Sequence, residues 1–128
     1  GEPNTAYAKY FTGNSYLKVI SKAGDPLTIC QVTFEPGCRN HWHIHHAKSG
    51  GGQVLICVDG EGWYQEEGKE AQSLKAGDIV EIPANVKHWH GAKRESWFSH
   101  LAFEIPGTDL SNEWCEEVSA AAYDALTR

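Results

Sequence analysis

Residues Gly37 to Gly60 read GCRNHWHIHHAKSGGGQVLICVDG, and the fold turns on how this stretch is understood. His43 and His45 occupy alternate positions of a candidate strand, so both side chains leave on one face. Two imidazoles on a rigid face make half of a metal site. Gln53 and His88 are the candidates to complete it. Between the histidines and Gln53, Ala47 to Gly52 reads as a flexible insertion, because three consecutive glycines hold neither strand nor helix cheaply. Gln53 to Val58 reads as a strand, Asp59-Gly60-Glu61-Gly62 as a hairpin turn, and Trp63 to Gln65 as the returning strand.

Working outward, short β-prone runs alternate with turn signals on both sides. Upstream are Tyr16 to Ile20 and Leu27 to Phe34, the latter closed by Glu35-Pro36-Gly37. Downstream come Ala71 to Leu74, Ile79 to Ile82 (stopped by Pro83), Val86 to His90 and Ser96 to Ile105. Such spacing predicts an all-β sandwich or barrel. The tail differs: Ser119 caps a run of helix formers, which predicts a short helix over 119–127 with Tyr123 and Leu126 packing down. No linker or internal repeat interrupts the 128 residues, so one domain over 1–128 is expected.

Composition excludes several functions. A net charge of −6, with no basic patch, argues against nucleic acid and anionic membranes as partners. No apolar run approaches a membrane span and no signal peptide is legible, which points to the cytoplasm. The four cysteines, at 30, 38, 57 and 115, form no CxxC pair and read as reduced thiols. All seven histidines lie between 41 and 100. Together with the tryptophans around them they suit a pocket better than a solvated surface. Strand parity sends His46 away from His45 and places His41 towards the rim. His90 shares parity with His88 and joins the pocket candidates, as does Trp63, which follows the expected hairpin. The remaining tryptophans read as packing residues.

Gly37-x5-His43-x-His45, Gln53-x6-Gly60 and Gly77-x5-Pro83-x-Asn85-x2-His88 together resemble the cupin family. Asn85 stands where that family has glycine, and asparagine tolerates the left-handed conformation. Seven residues separate His45 from Gln53, against the family's usual three or four. Glutamine replaces the usual glutamate, which leaves the site one unit more positive and should strengthen its Lewis acidity. The motifs span about 37–92. The resemblance implies a double-stranded β-helix, or jelly-roll barrel, and a homodimer. Within the family, the run HxH…Q…HWHGA…HLA is most similar to small single-domain proteins. These include the manganese-dependent cupin hydroxynitrile lyases and the cupins found with carboxymuconolactone decarboxylase domains.

By that resemblance His43, His45, Gln53 and His88 bind a divalent ion, with Mn, Fe, Ni and Zn all compatible. His100 acts as a general base, Cys30 and Val32 line the pocket, and Glu104 adds a carboxylate where those lyases carry glutamine. The implied activity is lyase-type cleavage or decarboxylation of a small oxygenated substrate. A dioxygenase with a redox-active metal, a ligand-sensing barrel with a structural metal, and a partner subunit of a decarboxylase are the alternatives left open.

Overall fold

A computed structural model describes residues 1–126. The strands are β1 (Glu2–Pro3), β2 (Phe11–Thr12), β3 (Ser15–Val19), β4 (Thr28–Phe34), β5 (Arg39–Asn40), β6 (His43–His46) and β7 (Ser49–Gly50). They continue with β8 (Gln53–Glu66), β9 (Gln72–Lys75), β10 (Ile79–Ile82), β11 (His88–Ala92), β12 (Phe98–Glu104), β13 (Gly107–Thr108) and β14 (Ser111–Trp114). A 3-10 turn at Ala8–Tyr10 and a helix, α1 (Ala120–Ala125), complete the chain. Ser119 caps α1 by accepting from the Ala122 N–H at 3.1 Å. The helix is shorter than expected, and residue 127 lies outside the described residues.

The strands form a curled antiparallel sheet with β8 as its spine. The first half of β8 pairs with β10 and β12, and its second half with β9 and β11. Strands β4, β3 and β1 extend the β12 side, while β5 and β6 flank β11. One core fills the space between the two halves. It is built from Phe34, Leu55, Cys57, Val80, Ile82, Phe98 and Ala102 on one side and Cys38, Tyr64, Leu74 and Ala92 on the other.

The expected hairpin at Asp59-Gly60 does not form. The chain runs straight through it as a 14-residue strand. Gly60 takes a left-handed φ of 71°, which a DG turn would also use, but here it bends the strand without reversing it. Opposite it, the β8–β12 register slips: Ser99 faces Asp59 whereas His100 faces Cys57, so Val58 is left as the extra residue of a bulge. A one-residue slip changes which side chains point inward. Before the bulge Gln53, Leu55 and Cys57 are buried; after it Gly62 and Tyr64 are. A single strand therefore serves both halves of the barrel.

The Gly-rich insertion is held on both sides. Ser49–Gly50 pairs with Gly107–Thr108 as a separate two-stranded ribbon. Asn85, at a φ of 68°, bonds the backbone of Ala47 through both ends of its amide.

The two outer faces differ. Over the β11 half, the tail packs Val118, Tyr123 and Leu126 onto Trp89, Trp42 and Trp63. The Tyr123 hydroxyl donates to the Ala92 carbonyl at 2.6 Å. The outer face of the β12 half keeps a row of half-buried Val54, Ile56, Leu101 and Phe103, with Ile79 63% exposed. A homodimer, expected from the sequence, would have this face to bury. Among the described residues no helix is long and apolar enough to cross a membrane.

Candidate metal centre

Strands β6 and β11 lie antiparallel with His88 directly opposite His43. The burial of β6 alternates, so His43 and His45 point inward while His46 turns out to Glu113, 2.7 Å away. Ring centroids stand 4.2 Å apart for His43–His88, 5.1 Å for His43–His45 and 5.2 Å for His45–His88. Gln53, at the start of β8, is also buried.

Each imidazole is held through Nδ1. His43 donates to the His41 carbonyl at 2.7 Å, and His88 to the Val86 carbonyl at 2.9 Å. His45 donates to Asn112 Oδ1 at 2.9 Å. An oxygen acceptor on Nδ1 fixes the tautomer and leaves the Nε2 lone pair free, the arrangement typical of metal-binding histidines. The Nε2 atoms of His45 and His88 and the Oε1 of Gln53 are buried with no hydrogen-bond partner. Buried lone pairs without partners are costly, and a divalent ion would satisfy all three.

His90 complicates the picture. Nitrogens of His43, His88 and His90 lie within 4.8 Å of one another, so this group could hold an ion by distance alone. Yet both ring nitrogens of His90 already have neighbours: His100 Nε2 stands 3.1 Å from Nδ1, and Asn40 Nδ2 stands 3.2 Å from Nε2. Asn40 is itself fixed by accepting from the His90 backbone N–H at 2.9 Å. Hydrogen bonding therefore favours His45 over His90 as the third imidazole.

His100 is fully buried on β12 beside His90, between the rings of Phe34 and Phe98. On β4, Val32 is paired with His100 and Cys30 with Ala102, on the same inner face. Burial and the charge of Glu104 raise the Cys30 thiol pKa. Glu104 accepts from Gln53 Nε2 at 2.8 Å. Trp63 does not join this group. The bulge at Val58 turns it outward, against Trp89 and Tyr123, with the Lys93 ammonium 4.6 Å from its ring centroid. It borders a surface cleft of about 450 Å³ with Lys93, Arg94 and Leu126, which shares no residue with the histidine cluster.

Asn112, Asn40 and Trp114 belong to the site and have no motif to announce them. Strand β14 lies along β6 with Asn112 opposite His45 and Trp114 opposite His43, whose ring is 4.7 Å away. The run SNEW carries no strand periodicity, and nothing in sequence spacing ties it to β6.

Burial keeps His43, His88, His90 and His100 neutral. It lowers the pKa of His88 and His100 to about 4 each. It lowers those of His43 and His90 well below the ordinary value, helped by the charge of His88 on His43 and of His100 on His90. The unfolded chain, with ordinary histidines near 6.5, takes up protons first on acidification. Stability is therefore full above about pH 6.5 and falls as pH drops towards 4. His100 alone accounts for roughly 3 kcal/mol over that window. The melting temperature of the metal-free protein is expected to fall steeply between pH 7 and 4.5, and a flat profile would contradict the neutral cluster.

A family model described as Cupin domain matches residues 30–97. An (R)-mandelonitrile lyase from Granulicella tundricola is 36% identical over 118 residues, covering 91% of this chain and 87% of that protein. Among solved structures, a cupin-like protein from Thermotoga maritima matches with a TM-score of 0.85 at 38% identity, covering 99% of this chain and 95% of that one. A cupin 2 conserved barrel domain protein from Rhodopseudomonas palustris shares the fold at 16% identity, with a TM-score of 0.71 over 98% of this chain and 81% of its own.

Proposed function

The chain belongs to the cupin family, and on that premise we propose that it is a metal-dependent lyase cleaving a cyanohydrin of the mandelonitrile class. The observation that carries this reading is the set of buried, unpartnered lone pairs on His45, His88 and Gln53, with the rings of His43, His45 and His88 standing 4.2 to 5.2 Å apart. The (R)-mandelonitrile lyase similar to this chain supplies the substrate class. His43, His45, His88 and Gln53 would hold the ion, a donor set that suits Mn, Fe, Ni or Zn. When bound, the ion supplies a Lewis acid for the substrate oxygen.

The chain's own residues supply the proton chemistry. His100 is neutral at pH 7 because it is buried, so it can accept the hydroxyl proton of the substrate. As the carbonyl forms, the bond to the nitrile carbon breaks and cyanide leaves with the electron pair. The proton held by His100 returns to cyanide. His90, at 3.1 Å from His100, holds that imidazole in place, and Asn40 holds His90. Val32 and Cys30, on the inner face of β4, wall the pocket beside His100.

The test is benzaldehyde release from mandelonitrile by protein loaded in turn with Mn, Fe, Ni and Zn. Cleavage by the wild type is expected, with a loss of roughly 10²–10⁴-fold in His100→Ala at unchanged metal content. Absence of cleavage under all four loadings would overturn the lyase reading.

A further inference from the structure

Gln53 and Glu104 stand directly opposite each other in the antiparallel β8–β12 pair, both on the inner face. At 2.8 Å, Gln53 Nε2 donates to Glu104 Oε1, while Gln53 Oε1 is buried and left without a partner. An amide can be turned end for end with little change of shape. Turned here, it would set its carbonyl oxygen against the carboxylate and aim its N–H groups at the metal position. A carboxylate accepts and never donates. Only one orientation of Gln53 is therefore compatible with Glu104, and it is the one that presents oxygen to the ion.

From this juxtaposition we infer that Glu104 is a positioning residue that locks the Gln53 amide in its metal-binding orientation, so that the pair together replaces a single carboxylate ligand. The inference rests on the metal reading above. It adds that residue 53 can be a neutral ligand because residue 104 carries the anion. The two side chains are then interchangeable as a pair and not singly. With Glu104→Gln alone, two amides meet and either orientation of Gln53 finds a partner. With Gln53→Glu alone, two carboxylates meet at the former hydrogen bond. With both changes, the new amide at 104 donates to the new carboxylate at 53, and the pair is restored in mirror image.

The experiment is Mn²⁺ titration, read by the electron paramagnetic resonance of the free ion. It covers the wild type, Glu104→Gln, Glu104→Asp, Gln53→Glu and the Gln53→Glu/Glu104→Gln double variant. Glu104→Gln and Glu104→Asp are each expected to weaken binding by about 10–100-fold, the range for losing a group that orients a metal ligand. The aspartate keeps the charge but not the reach, so its loss separates the hydrogen bond from a general electrostatic effect. The double variant is expected to bind at least as tightly as the wild type, a non-additivity that a merely structural glutamate would not produce. Wild-type affinity in both Glu104 variants, or independent effects of the two changes in the double variant, would overturn the inference. Failure of the wild type itself to bind Mn²⁺ or Zn²⁺ would overturn the metal reading and this inference together. Melting of the metal-free proteins checks that each variant folds.

Discussion

Alanine in place of His88 is expected to empty the site, taking a protein that carries close to one equivalent of divalent ion to one that retains none through dialysis. His88 has no solvent exposure, its Nδ1–H is bound to the Val86 carbonyl and its Nε2 is buried without a partner. Its ring is 4.2 Å from that of His43. Removing an orienting group weakens metal sites by about 10–100-fold, and removing a ligand should exceed that. A loss of at least about a thousandfold corresponds to roughly 4 kcal/mol. The ligands left behind would be two imidazoles and an amide, a set with little hold on a hard ion. Three companion variants make the result decisive. His46→Ala, which changes the outward histidine bonded to Glu113, should leave the metal in place. His45→Ala and His90→Ala distinguish the two triads that share His43 and His88. Loss with His45→Ala and retention with His90→Ala is the expected pattern, since Asn40 and His100 already occupy the His90 ring. The reverse pattern would move the ion to the group His43, His88 and His90.

The barrel and its inner histidines were legible because both follow from parity within one strand. His43 and His45 need only an alternating β6, and the glycines and proline around His88 mark where the following strands must stop. What stayed illegible depends on contacts between distant strands. The hairpin expected at Asp59-Gly60 rests on a local signal that is physically sound: glycine after aspartate readily enters the left-handed region. The same conformation equally serves a bent, continuous strand, and the choice is made by β12 and β9 lying alongside. Trp63 was misplaced for that reason. Counting pleats from Gln53 fails at Val58, where the bulge shifts the parity. Asn112 was missed because its relation to His45 exists only in the register of β14 on β6. Glu104 was seen as a pocket carboxylate. Its hydrogen bond to Gln53 required knowing that the two residues are directly paired.

The bend in β8 makes Gly60→Ala the most damaging single methyl group the structure suggests. A Cβ there would lie 1.7 Å from the Trp97 carbonyl oxygen and 2.7 Å from its carbon, both backbone atoms that cannot rotate away. The φ of 71° adds a penalty of about 1–2 kcal/mol for any L side chain. Relief of the clash would require β12 to move off β8. That contact carries the pairing of Glu104 with Gln53 and of His100 with Cys57. A loss above about 4 kcal/mol is expected, a large share of the 5–15 kcal/mol that holds a typical domain. Chemical denaturation should show little or no native baseline, and metal retention should fall with it. Gly68→Ala supplies the comparison. Its φ is 83°, yet nothing lies within 4 Å of the added carbon. It should therefore show only the conformational penalty. Equal stability of the two variants would mean that β8 and β12 can separate at the bulge without disturbing the barrel. The parity switch that lets one strand place Gln53 and Tyr64 in the same interior would then not depend on a glycine at position 60.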